Sequence, residues 1–245
     1  MLNPFTHSRR LLAWLLVALT VGVLGLGLFL KLFLADLPTV QSLDNYTPSL
    51  VTKLYDVRGE LLTELYVEKR SLLPLTQIPL AMQQAVLATE DNHFYNHMGI
   101  DLLGILRAMG TNVRARRLVQ GASTITQQLA KNIFLTRERT LSRKAKELLL
   151  TLQMERNLSK DEILQLYINQ IYFGHGAYGL ESAARTFFGK SAQELTLPEC
   201  ALLAGLPKGP ERFSPFRRPA RAIRRRNLVL RRMREEGYIT EQEQL

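Results

Sequence analysis

Three stretches of the chain set acids, amides and cations close enough together to do chemistry. The first is Ala88-Thr89-Glu90-Asp91-Asn92-His93-Phe94-Tyr95-Asn96-His97-Met98-Gly99. Glu90 falls near the end of a helical pattern whose apolar face holds Met82, Ala85, Val86 and Thr89, shortly before the break at Gly99. A carboxylate there meets the negative end of the helix dipole, and adjacent Asp91 adds a like charge. Both disfavour ionisation, the condition a general base working near neutral pH requires. Two solvated helix-end acids would give the same pattern. A metal reading competes, because Glu90, His93 and His97 would share a face if the helix ran on. The HExxH order is missing, however, and the only other histidines are His7 and His175, so structural histidines fit better.

The second stretch runs from Gln120 through Gly121, Ser123, Thr124, Gln127, Gln128 and Lys131 to Asn132. Gly121 supplies a permissive loop, and Thr124 with Gln127 fits a capping box. The helix head that results is expected to present free amides, a natural seat for phosphate. Ile125, Leu129 and Ile133 form one face; Thr124, Gln128 and Lys131 line the other. At about 1.5 Å per residue, Lys131 stands about 10 Å from Thr124, within side-chain reach of the same anion. A well-capped amphipathic helix is the plain alternative. The third stretch is Arg139-Thr140-Leu141-Ser142-Arg143-Lys144-Ala145-Lys146-Glu147. Leu141, Ala145, Leu148 and Leu152 are expected to be buried, leaving Arg143 and Glu147 on an exposed side. Guanidinium forks match phosphate oxygens, so these cations could grip a pyrophosphate around one carboxylate; a salt-bridged surface would look alike.

Helices must position these groups. Apolar spacing near 3.6 predicts helices over 80–90, 124–134, 141–157, 160–172, 180–187, 197–205 and 218–236, with breaks at Gly99, Gly121, 174–179 and 207–215. Asn169 interrupts the apolar run that carries Tyr167 and Tyr172. Residues 50–57 and 61–67 are rich in β-formers around Arg58-Gly59 and predict a small hairpin. The 100–109 segment is apolar around most of a helix and is followed by Arg114, Arg116 and Arg117. It suits either a helix dipping into a bilayer surface or an ordinary buried helix. From Arg212 to Arg234 there are ten arginines and no acid, expected to form a solvated face or to meet lipid headgroups.

The 245 residues suit one domain plus an appendage, and 46% hydrophobic residues suffice for a core. One thiol, Cys200, excludes an internal disulfide framework and a cysteine-ligated zinc site. Leu11 to Leu30 is a run of 20 residues without a charge, about 30 Å as a helix, the thickness of bilayer hydrocarbon. It is too long for a signal-peptide core, and Arg9 and Arg10 before it orient the remainder outward. Taking those two from the 32 basic residues leaves eight more cations than the 22 acids on the outer side. Outside a bacterial-type membrane no nucleotide triphosphates are at hand, so any synthesis needs a pre-activated, membrane-delivered substrate. Walker and dinucleotide fingerprints are missing accordingly. Nucleic acid is the weakest partner for the surplus charge on that topology.

Together the segments Ala88–Gly99, Gly121–Asn132, Arg143–Glu147, Ser159–Gly179 and Glu199–Pro215 resemble the glycosyltransferase domain of class A penicillin-binding proteins and monofunctional peptidoglycan glycosyltransferases, glycosyltransferase family 51. They occur in the family's order, and Cys200 sits where a small residue is usual. The resemblance implies a mainly α, lysozyme-like fold with a small β-hairpin and an N-terminal transmembrane helix. It divides the chain into a cytoplasmic tail (1–10), an anchor (11–33), a linker with the hairpin (34–79) and the glycosyltransferase domain (80–245). It implies polymerisation of lipid II, with a nascent glycan strand, membrane lipids and other cell-wall synthesis proteins as partners, at the outer face of the bacterial cytoplasmic membrane. Glu90 would be the base and Glu147 the second catalytic carboxylate. Asp91, Ser123, Gln128, Lys131, Asn132, Arg139, Arg143, Lys146 and Asn169 would bind substrate. Magnesium is the one cofactor implied, shared by Asp91 or Glu147; no organic cofactor is expected. A muramidase and a membrane-tethered lipid-binding scaffold are the competing functions. No serine has a lysine three residues on, so a penicillin-acylating transpeptidase site is not expected in this chain. The sequence stops where bifunctional relatives continue, and a truncated product is the expectation.

Overall fold

A computed structural model describes residues 14, 17, 19–22, 25, 52–55, 58, 61–65, 72–115, 121, 123–135 and 140–244. The chain divides into two compact units, Met1–Thr39 and Val40–Leu245. Most of the expected anchor, 11–33, lies outside the described residues, as does Arg139. Among the described residues no helix is long and apolar enough to cross a membrane.

The second unit is mainly helical. Strands β1 (Thr52–Tyr55) and β2 (Leu61–Leu65) pair antiparallel around a turn at Arg58, as the β-rich pattern predicts. Helix α1 (Leu80–Glu90) starts after Pro79 and buries Met82, Ala85, Val86, Leu87, Ala88 and Thr89. Helix α2 spans Leu102–Ala115 and α3 Ile125–Phe134. Helix α4 (Leu141–Asn157) begins at Thr140, whose hydroxyl accepts the Arg143 amide. Helix α5 (Lys160–Gln170) begins with a Ser159/Glu162 capping box. These caps satisfy amides a helix head otherwise leaves bare. A short hairpin, β3 (Tyr172–Gly174) with β4 (Ala177–Tyr178), leads into α6 (Leu180–Phe188). Helix α7 (Leu197–Gly205) packs on α8 (Pro219–Glu235), both pack on α1, and α3 packs on α4 and α5. A last turn, α9, spans Glu241–Gln244. Tyr167, Phe94, Met82, Ile125, Leu129, Leu150 and Met154 are among the largest fully buried side chains.

Two expectations change, and one open choice is narrowed. The helix read over 160–172 ends at Gln170, because Ile171 turns extended and Tyr172 joins β3. Of the two readings left open for the 100–109 segment, the ordinary buried helix does not hold: Leu102, Leu103, Leu106, Met109 and Val113 of α2 face outward, and Ala108 faces in. Helix α4 is turned the opposite way to its leucine pattern. Leu141 is 91% exposed, and Leu148 and Leu152 also face solvent, whereas Glu147, Leu150, Thr151 and Met154 are buried. The inner face carries Leu150, Thr151 and Met154 into the core, where α4 packs on α3.

Gly179, the N-cap of α6, has φ +76, and a Cβ there would lie 2.5 Å from the Asn169 carbonyl oxygen. Both the left-handed backbone and the contact demand glycine. Gly179→Ala is expected to cost about 2–4 kcal/mol, read as a lower urea midpoint with unchanged slope.

Candidate active site

Glu90 closes α1, and the backbone leaves the helix at Asp91 with φ −164 and ψ 81. That turn sends the two neighbouring carboxylates to different tasks. Asp91 is buried, and its Oδ2 accepts the Ile125 amide at 3.0 Å. His97 Nε2 lies 3.0 and 3.2 Å from the two Asp91 oxygens. The Gly99 amide donates to His97 Nδ1 at 3.1 Å, so the imidazole hydrogen sits on Nε2 and is donated to Asp91. Gly99 returns the connection, since the Thr124 hydroxyl donates to its carbonyl at 2.7 Å. Thr124 also caps α3 with Gln127 in the expected capping box. Loop 91–99 is therefore welded to the head of α3 at two points.

That weld corrects the phosphate-seat expectation: the first amide of α3 already holds the chain's own carboxylate, and Thr124 takes the Gln127 amide at 3.2 Å. It also dissolves the metal face. The helix ends at Glu90, His93 lies 2.7 Å from Asn92 Oδ1, and His97 serves Asp91. Among the described residues no group of three or more His, Cys, Asp or Glu could hold a metal ion.

Glu90, half-buried, looks into a cleft of about 360 Å³ whose walls include Ser123, Gln128, Lys208 and Arg232. Gln128 Nε2 donates to Glu90 Oε2 at 3.0 Å, and the Tyr167 hydroxyl donates to Gln128 Oε1 at 3.2 Å. No other hydrogen bond or ion pair reaches Glu90 among the described residues. Arg232 Nη1 donates to the Thr89 carbonyl at 2.9 Å, capping the end of α1 from α8. Burial, then neighbouring Arg225 and Arg232, pull the Lys208 ammonium below the usual lysine value, with the Glu90 charge acting against them. Arg225, buried with its Nε on the Gly205 carbonyl at 3.1 Å, is lowered by burial and likewise steadied by Glu90. The cleft thus sets Glu90 among three cations, Arg107, Lys208 and Arg232, and three further acids, Asp91, Glu235 and Glu236, in a partly desolvated place where charge interactions are strong.

The other expected site residues divide. Ser123 lies exposed at the cleft and Gln128 in its wall. Lys131 and Asn132 are exposed a turn further along α3 and do not line it. Glu147 is buried rather than on an exposed side; it pairs with Arg143 at 2.9 Å and with Lys144, and Lys146 is half-buried on the same helix. Asn169 leaves the set. Its Oδ1 accepts the Leu73 amide at 2.9 Å, and its Nδ2 donates to Leu73 and Gln165 carbonyls at 2.8 and 2.9 Å, so the amide is fully spent on holding the segment before α1. Magnesium fits neither expected ligand, because the oxygens of Asp91 and Glu147 are engaged by protein donors where a hard cation needs open carboxylates. Sequence reasoning missed Lys208 and Arg232. A signal existed, since Arg225 and Arg232 fall two turns apart in line with the buried Ala222, Val229 and Met233.

Residues 58–234 match the family model described as Transglycosylase. The chain is 51% identical to Penicillin-binding protein 1A of Aquifex aeolicus (strain VF5) over 92% of its length and 31% of the relative's. It is 47% identical to Penicillin-binding protein 1A of Escherichia coli (strain K12) over 94% of its length and 27% of the relative's. It aligns with a 2.6 Å crystal structure of Penicillin-Binding Protein 1A from Haemophilus influenzae at TM-score 0.47 and 29% identity, over 81% of this chain and 20% of that one. The chain spans less than a third of the two curated relatives. The family model nonetheless covers most of the chain, across the cleft and both carboxylates, and the chain belongs to the transglycosylase family, glycosyltransferase family 51.

Proposed function

We propose that the domain is a peptidoglycan glycosyltransferase that polymerises lipid II into β-1,4 glycan strands. The observation that carries this reading is Glu90, held by Gln128 through one oxygen at 3.0 Å at the edge of a polar cleft that also carries Arg107, Lys208 and Arg232. In the proposed reaction the other Glu90 oxygen takes the proton from the acceptor sugar's 4-hydroxyl. That hydroxyl attacks the donor's anomeric carbon opposite the pyrophosphate, inverting the centre as undecaprenyl pyrophosphate leaves. The departing diphosphate carries its charge away, so it needs cations more than a strong acid. Lys131, Arg139, Arg143 and Lys146 are proposed to meet it, with Ser123, Gln128 and Asn132 on the adjoining sugar. No step is assigned to magnesium.

A lipid-linked substrate suits the outward leucines of α2 and α4, an apolar surface that a water-soluble enzyme has no use for. It also suits a lysozyme-like groove above a membrane, with the domain on the outer side of the bacterial cytoplasmic membrane behind an anchor at 11–33. The cluster around Glu147 argues against a muramidase. A hydrolase pairs its base or nucleophile with a protonated acid, whereas Glu147 is tied to Arg143 and Lys144.

Detergent-solubilised chain incubated with fluorescent lipid II is expected to yield long glycan. Lipid II left unpolymerised, with or without magnesium, overturns the reading, and shortening of preformed glycan would install the muramidase in its place.

A further inference from the structure

Tyr167 on α5 is buried and takes no part in the reaction above, yet its hydroxyl begins a chain of two hydrogen bonds that ends on Glu90. Both bonds run the same way: phenol to Gln128 Oε1 at 3.2 Å, then Gln128 Nε2 to Glu90 Oε2 at 3.0 Å. A primary amide has a donor end and an acceptor end of the same shape, so packing alone does not choose between its two orientations. Reversed, Gln128 would set its carbonyl against the Glu90 carboxylate. The phenol hydrogen would then lose its acceptor where water does not reach it, at a cost comparable to a lost buried hydrogen bond. Burial, followed by the charges of Glu90 and Asp91, pushes the Tyr167 hydroxyl well above the usual tyrosine range. It stays a donor throughout the working pH.

We propose that Tyr167 is a positioning residue: it locks the Gln128 amide so that the donor end holds Glu90 Oε2 and Oε1 is left to receive the acceptor's proton. This rests on the reading of Glu90 as the base. Two consequences follow from the direction of the bonds. A donor on a carboxylate favours its charged form, and an amide that accepts a hydrogen bond becomes a better donor at its other end. Asp91, Arg107, Lys208, Arg232, Glu235 and Glu236 line the same cleft as Glu90 and stay in place when the phenol is removed, so the change falls on the Gln128 donor and weakens its hold on the proton-accepting carboxylate.

The test is the pH dependence of lipid II polymerisation by the full chain, from about pH 5 to pH 8, the span in which such limbs fall. In Tyr167→Phe the acid limb of kcat/KM is expected to move up by roughly half to one pH unit, a threefold to tenfold loss on that limb. Gln128→Leu should move it at least as far, and the double variant no further, because both changes break one path. A structural role would lower stability or rate and leave the limb in place. Limbs that stay put, or shifts that add, overturn the proposal; if Tyr167→Phe does not fold, an unmoved limb in Gln128→Leu does so alone. Glu90→Gln separates the two ideas. Retained polymerisation in that variant removes the base itself, whereas an inactive Glu90→Gln beside unmoved limbs removes only the positioning role.

Discussion

On the proposed function, Glu90→Gln is expected to lower the rate of lipid II polymerisation by about a thousandfold, within the range a positioned general base contributes. The substitution keeps the length and shape of the side chain and leaves an oxygen to accept the Gln128 donor, bonded at 3.0 Å in the native chain. What it removes is the ability to take a proton. Glu90 is half-buried at a helix end and reached, among the described residues, by that one hydrogen bond, so stability is expected to change by less than about 0.5 kcal/mol. Activity loss with an unchanged thermal midpoint is the signature. A variant that keeps more than a tenth of the native rate would show that the proton goes elsewhere.

The largest effect on stability falls on the neighbouring residue. Asp91→Ala is expected to cost about 3–4 kcal/mol. It strands the buried Ile125 amide, at 3.0 Å in the native chain, and the part-buried His97 Nε2 hydrogen. Asp91→Asn keeps one acceptor and brings an unwanted donor, so roughly half that loss is expected. Urea denaturation measures both. The Ala variant should also lose polymerisation beyond its stability deficit, because α3 carries Gln128 and its head is no longer tied to the loop. Unfolding within 1 kcal/mol of the native chain would mean the weld does not hold the two parts together.

Local signals were legible in the sequence where neighbours in the chain decide the outcome. The capping box at Thr124/Gln127 and the bounds of α1, α4 and α7 follow from residues a few positions apart. Glu90 stood out at a helix end for the same reason, whereas a site role for Gln128 came only from the family resemblance. Orientation and long-range use were not. Leu141, Leu148 and Leu152 satisfy the inward pattern as well as Leu150 and Met154 do, and hydrophobicity does not say which apolar stripe meets the core. Asn169 looks like a polar group placed for a ligand until Leu73, 96 residues away, is seen to take its amide. Lys208 and Arg232 were hidden in a loop and in an arginine run. Only the packing of α8 on α1 shows which of many cations turns inward.

The carboxylate seated at the start of α3 has a bearing on inhibitor chemistry. A compound that merely imitates a diphosphate finds that socket already filled by the enzyme's own side chain. On the proposed function its negative charge is answered by long side chains such as the exposed Lys131, whose single ammonium tolerates many geometries. Affinity won there fades as buffer salt rises, so on the same reading selectivity is to be built into the sugar-like portion proposed to meet Glu90 and Gln128.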